Sequence, residues 1–118
     1  QVLGALLLIF IVGCSNVSSP QEEVDKLAKC LTEAGVVEYG AFWCNNCAKQ
    51  KKMFGNSYKF INYIECDPRG EKAQPELCIE KEVEKYPDWE FPDGTRLVGV
   101  QSFEDLAKLS GCPAPTPI

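Results

Sequence analysis

Residues 36–55 read VVEYGAFWCNNCAKQKKMFG. The first seven are apolar and β-prone apart from one carboxylate, Glu38, and predict a buried strand over Val36–Phe42. A helix is expected from Cys44 to about Phe54, stopped by Gly55. Cys44 and Cys47 lie three positions apart, so a helix puts them on one face with Cβ atoms ~5–6 Å apart. A small local tightening then reaches disulfide distance. Cys44 falls where strand gives way to helix, and there unpaired N–H groups and the helix dipole favour an anion. That favours the thiolate, the nucleophile of disulfide exchange. Cys47, one turn further in, is expected to be more buried. The asymmetry assigns attack to Cys44 and resolution to Cys47.

Working outward, Ser19-Pro20-Gln21-Glu22 announces an earlier helix, with Ser as N-cap, Pro first and Glu third. Val24, Leu27, Ala28 and Leu31 form its apolar stripe, and Gly35 ends it. Downstream, Phe60–Cys66 alternates like a strand, Asp67-Pro68-Arg69-Gly70 is a turn, and Pro75 opens a helix through about Val83. Tyr86-Pro87 breaks the chain. Asp88–Phe91 and Arg96–Val100 read as a hairpin around Pro92-Asp93-Gly94-Thr95. Ser102 caps a last helix carrying Phe103, Leu106, Ala107 and Leu109, which ends at Gly111. The tail from 112 to 118, CPAPTPI, reads as unfolded. The order is α-β-α-β-α-β-β-α. It predicts an α/β fold with a central mixed sheet of about four strands flanked by helices. The early strands pair in parallel through right-handed crossovers, and the late hairpin adds antiparallel strands.

A length of 118 residues suits one domain, and 45% hydrophobic content is enough for a packed core. The formal charge of -5 and pI near 4.7 argue against a nucleic-acid binder. Seven cysteines point to an oxidising compartment, redox work or metal. Without histidine, no imidazole base is available, and any metal site would rest on thiolates and carboxylates. Residues 2–13, VLGALLLIFIVG, form an apolar run of 12, short for a membrane span and suited to a signal-peptide core. The following Gly13-Cys14-Ser15 resembles the lipobox of bacterial lipoproteins, which implies lipid attachment at Cys14. The other reading makes 1–13 the end of a membrane-spanning helix. Both place the remainder outside the cytoplasmic membrane or tethered to it, and both permit disulfides. The organisation is therefore a leader or anchor at 1–13, a tether at 14–20, one domain at 21–111 and the tail.

Trp43-Cys44-Asn45-Asn46-Cys47 after an apolar strand, with Tyr86-Pro87 ahead of a hairpin, resembles the thioredoxin superfamily over about residues 22–111. The resemblance implies a thiol–disulfide oxidoreductase that exchanges disulfides with protein substrates and needs no external cofactor. It implies a cis-proline at Pro87 facing the dithiol and substrate contacts from Tyr86 and Trp43. It also implies a buried, proton-relaying acid six residues before the first cysteine, at Glu38. Burial in an apolar strand raises the pKa of such a carboxyl. The Asn-Asn dipeptide is neither the Gly-Pro of reducing thioredoxins nor the Pro-His of strong oxidases, so the direction of electron flow stays open.

The stretches YGAFWC, QKKMFG, INYIECD, PELC and QSFEDLAKLSG resemble more narrowly the thioredoxin-like domain fused to, or partnered with, bacterial vitamin K epoxide reductase homologues. That implies a quinone-linked membrane partner and a second cysteine pair, Cys66 and Cys78, acting as a structural disulfide or a redox relay. A monomer is expected.

The alternatives are a non-catalytic copper-delivery module using the same thiolates, and a static, disulfide-stapled domain. Zinc would want a second close cysteine pair, which the spacing lacks. Cys30 and Cys112 read either as a disulfide on the side away from the dithiol or as two free thiols. Lys49, Lys51 and Lys52 read as a solvated helix face. Trp89, Phe42, Phe54, Phe60 and Tyr63 read as core.

Overall fold

The computed structural model describes residues 4, 5, 7–9 and 18–116. Cys14 and most of the leader at 1–13 lie outside the described residues. Among the described residues no helix is long and apolar enough to cross a membrane.

Helix α1 (Pro20–Glu33) starts on the expected capping box. The Ser19 hydroxyl accepts the Glu22 N–H at 3.2 Å, and the Glu22 carboxylate accepts the Ser19 N–H at 3.2 Å. Two otherwise unpaired donors are thereby satisfied. Then follow β1 (Val37–Gly40), α2 (Asn45–Phe54), β2 (Tyr63–Glu65), α3 (Pro75–Glu80), β3 (Asp88–Glu90), β4 (Arg96–Val98) and α4 (Phe103–Ser110). The sheet order is β2-β1-β3-β4. The β1–β2 pair is parallel, whereas β1–β3 and β3–β4 are antiparallel. This is the α/β architecture with a four-stranded mixed sheet that the element order predicts.

Register decides which side chains meet. Glu38 lies opposite Tyr63 on one side and Trp89 on the other, and Gly40 lies opposite Glu65. Side chains alternate between faces, so these five residues share one face. Leu27, Ala28 and Leu31 of α1, Phe54 of α2, and Leu106 and Ala107 of α4 build the main apolar cluster with Val36, Ile61, Trp89, Phe91 and Cys112. Tyr39 and Ile64 point to the other face and pack with Cys66 and Cys78 in a smaller cluster.

Several expected boundaries move. Residues Gly55–Phe60 form a 3₁₀ helix, and strand pairing begins only at Tyr63 rather than at Phe60. The Thr32 hydroxyl takes the intervening backbone groups, donating to the Phe60 carbonyl at 2.6 Å and accepting the Asn62 N–H at 3.2 Å. Helix α3 stops at Glu80, short of Val83, because Glu82 turns left-handed with φ 55°. Phe42 is not core: it is 60% exposed. Strand β1 ends at Gly40, and the turn closed by the Cys44 N–H to the Ala41 carbonyl at 3.0 Å carries Phe42 outward. Its ring lies under the Arg69 guanidinium, 5.8 Å from the centroid. The chain is also tied down one residue past Gly111, since Cys112 is buried and bonded to Cys30.

Candidate active site

Cys44 is the N-cap of α2, and its sulfur takes the place usually filled by a Ser or Asp oxygen. Its Sγ accepts the Cys47 N–H at 3.2 Å. The Tyr86–Pro87 peptide bond is cis, and the Cys44 thiol donates to the Tyr86 carbonyl at 3.7 Å. The proline loop therefore faces the first cysteine. Cys44 is half-buried and Cys47 is buried, and both are free thiols. The remaining described cysteines are bonded as Cys30–Cys112 and Cys66–Cys78. That pairing leaves two thiolates for any metal among the described residues, where no cluster of three or more Cys, Asp or Glu side chains is placed to hold one. Burial pushes the Cys47 thiol well above its ordinary range, and the hydrogen bond with Cys44 adds to this.

Below the dithiol lies Glu38, fully buried. Its Oε1 accepts the Tyr58 hydroxyl at 2.7 Å, while Oε2 has no protein partner. Desolvation raises this carboxyl to about 7 against the partial relief that the Tyr58 hydrogen bond supplies. Burial and the neighbouring Glu38 charge push the Tyr58 phenol far upward, so it remains a donor. Tyr63 donates to Glu65 at 3.2 Å, and Glu65 also accepts the Asp67 N–H at 3.0 Å.

Gly40 makes this crowding feasible. A Cβ there would lie 2.8 Å from Tyr63 Cε2 and 3.0 Å from Cys47 Sγ. A cleft of about 480 Å³, lined among others by Phe42, Cys47, Lys51, Tyr58, Tyr63 and Glu65, opens onto this assembly. Gln50 of α2 braces it from the sheet side: its Oε1 accepts the Trp89 indole N–H at 3.2 Å and the Gln101 N–H at 2.7 Å.

Trp43, beside Cys44, is 55% exposed and held from two directions. Its indole N–H donates to Asp67 at 2.7 Å, and its ring stands edge-on to Tyr86 with centroids 5.9 Å apart. Arg69 hydrogen-bonds the same Asp67 and keeps its carboxyl well below the usual range. Asp67 adjoins Cys66, so the Cys66–Cys78 bond closes the loop that supplies this contact.

No protein-family model matches the chain. Among curated proteins, thiol-disulfide oxidoreductase LTO1 of Arabidopsis thaliana is 39% identical over 106 residues, covering 86% of this chain and 27% of the relative. The four-stranded mixed sheet and its flanking helices decide the architecture. The fold is thioredoxin-like. This thioredoxin-like chain spans about a quarter of its relative's length.

Every candidate residue of the dithiol end comes together. Cys44, Cys47, Glu38, Trp43, Tyr86 and Pro87 converge where β1 runs into α2. Cys66 and Cys78 close a neighbouring loop without touching the free thiols by hydrogen bond. Tyr58, Glu65, Gly40 and Gln50 are not among the candidates that the sequence offers, and Tyr63, which it offers as core, also lines the site. The one available signal was the i, i+2 spacing of Tyr63 and Glu65, which puts both on the face of Glu38 once β1 and β2 pair in parallel. Tyr58 had no such signal, because a 3₁₀ turn delivers it.

Proposed function

We propose that this chain is a thiol–disulfide oxidoreductase acting on protein thiols or disulfides through Cys44 and Cys47. The carrying observation is a pair of free thiols at the start of α2, one half-exposed and one buried, beside the Tyr86–Pro87 turn, while the other described cysteines are bonded. The Arabidopsis relative, named a thiol-disulfide oxidoreductase, supports the same reaction class. In the reducing direction, the Cys44 thiolate attacks one sulfur of a partner's disulfide and the other sulfur leaves as a thiolate. The Cys47 sulfur loses its proton and attacks Cys44 Sγ. The Cys44–Cys47 bond forms, the mixed disulfide breaks, and two electrons have passed to the partner. The oxidising direction runs the same steps backward. Glu38 takes the Cys47 proton. Trp43 and Tyr86 border the entering chain, and the backbone at Pro87 aligns it.

In the same reading, the protein works outside the cytoplasmic membrane, anchored by lipid at Cys14. It exchanges electrons with a quinone-linked membrane oxidoreductase of the vitamin K epoxide reductase type. Cys66–Cys78 serves as a structural staple that fixes Asp67 and, through it, Trp43.

The test equilibrates the chain in graded thiol buffers and locates free thiols by alkylation and mass mapping. The expected result is one two-electron midpoint for Cys44–Cys47, between about -270 and about -120 mV. The two other disulfides stay closed over that range, and Cys44→Ser abolishes the transition. A pair that never cycles sinks the oxidoreductase reading.

A further inference from the structure

The mechanism above asks Cys47 to give up a proton that burial holds tightly. Glu38 is the buried carboxyl whose charge acts on Cys47, and its two oxygens are not equivalent. Oε1 accepts the Tyr58 hydroxyl at 2.7 Å. Oε2 is the single buried side-chain polar atom without a partner among the described residues. A carboxyl group with one oxygen held cannot exchange its two oxygens freely, and the free oxygen keeps its lone pairs available. The Tyr58 ring is itself anchored, 6.2 Å from the Phe54 ring and 6.1 Å from the Tyr63 ring.

We infer that Tyr58 is a positioning residue of this site: its hydroxyl pins Glu38 Oε1 and so reserves Oε2 to accept the proton of Cys47. The inference rests on the oxidoreductase reading and adds a residue to it. In the step concerned, the Cys47 S–H bond breaks and an O–H bond forms on Glu38. The electron pair left on Cys47 forms the bond to Cys44, and the partner's sulfur departs with the pair from the broken mixed disulfide. The proton then reaches solvent through the cleft that Cys47, Tyr58 and Tyr63 line.

The titratable groups facing Glu38 come from three elements. Cys47, with Cys44 beyond it, belongs to α2; Tyr58 belongs to the 3₁₀ turn; Tyr63 belongs to β2, its hydroxyl held by Glu65. Lys51 of α2 lies 5.6 Å over the Tyr58 ring. From β3 the neighbour is Trp89, which does not titrate.

The experiment mixes the reduced full chain with excess 5,5′-dithiobis(2-nitrobenzoate) from about pH 5 to about pH 9, where a buried carboxyl titrates. Attack by Cys44 releases the first chromophore, and attack by Cys47 on the mixed disulfide releases the second. The second phase of the wild-type chain rises as Glu38 ionises. In Tyr58→Phe the ring stays and the hydroxyl goes, so ionised Glu38 loses its donor. At pH 7 the second phase slows about tenfold, the worth of one charge-assisted hydrogen bond. It recovers at higher pH, while the first phase is unchanged. Glu38→Gln flattens the pH profile, and adding Tyr58→Phe to it changes nothing more.

An unmoved midpoint in Tyr58→Phe, equal slowing at every pH, or additive effects in the double variant overturns the inference. If Tyr58→Phe does not fold, isotope-edited infrared spectra of the wild-type chain decide. The carbonyl band of protonated Glu38 then reports one accepted hydrogen bond, and a band typical of a free carboxylic acid overturns it. Absence of any second phase in the wild-type chain removes the oxidoreductase reading itself, a result distinct from these.

Discussion

The two ends of β1 hold sulfur in opposite ways. At its start, Cys30 and Cys112 are bonded to each other, with Cys112 buried among Leu27, Leu31, Val36, Phe91 and Leu106. At its finish, Cys44 and Cys47 are free, and polar groups enter their surroundings: Glu38, Tyr58, Tyr63 and Glu65. The first end is built as a core is built, with apolar packing closed by a crosslink. The second carries a buried carboxyl with an unpartnered oxygen, an arrangement that lowers stability on its own. The comparison teaches that the apolar end offsets what the reactive end loses, and that a thiol's surroundings decide whether it is a staple or a reagent.

The sharpest way to break that division is to open the staple. Replacing both Cys30 and Cys112 by Ser frees a separation of 82 residues, and loop-closure entropy of that size is worth about 4.5 kcal/mol. Urea unfolding is expected to show a loss of that order, while the exchange rate per folded molecule at Cys44 stays unchanged. A slowed exchange would join the two ends and dissolve the comparison.

Glu38→Gln acts at the other end with the opposite sign. The folded carboxyl is raised to about 7 against an ordinary 4.5. Between those values the unfolded chain has already lost the proton that the folded chain keeps, so the Glu38 contribution favours folding below 4.5 and is lost as pH rises through about 7. At pH 9 the variant is therefore expected to be more stable by about 3 kcal/mol, and at pH 4 the difference vanishes. Equilibrium unfolding at both values checks this. A gain at pH 9 coupled to slower exchange marks the reactive end as one that gives up stability for chemistry.

Gly40→Ala carries the smallest expected effect on stability. Its methyl group would enter a space bounded by Tyr63 Cε2 at 2.8 Å and Cys47 Sγ at 3.0 Å. Overpacking of this kind costs about 1–2 kcal/mol, since the Tyr63 ring must shift. The larger consequence falls on the second phase of exchange, because the same methyl group crowds the sulfur that attacks. Stopped-flow rates beside a thermal melt separate the two effects.

Much of the fold was legible because local chemistry sets it. The capping box at Ser19, the stop at Gly55, the Pro-Asp-Gly-Thr hairpin loop and the Ser102 cap are all short-range devices, and each acts where it was read. The late start of β2 has a long-range cause. Thr32, 28 positions away, holds the Phe60 carbonyl and delays β2, and nothing near Phe60 announces it. Phe42 looks like core in a run of apolar residues, yet the turn required to aim Cys44 carries it into solvent.

The order of the elements and the dithiol at the head of a helix were already written in the chain, through periodicity and capping. The acid at Glu38 was singled out by the resemblance to thioredoxins. Tertiary packing alone set Glu38 on the sheet face of Tyr63, brought Cys47 Sγ and the Tyr63 ring together over Gly40, closed Tyr58 on the carboxyl from a 3₁₀ turn, and chose which cysteines are spent as staples. The reason is physical. Capping and turn formation act between neighbours along the chain, whereas burial, charge coupling and sulfur pairing depend on distances that exist only after the sheet has set its register.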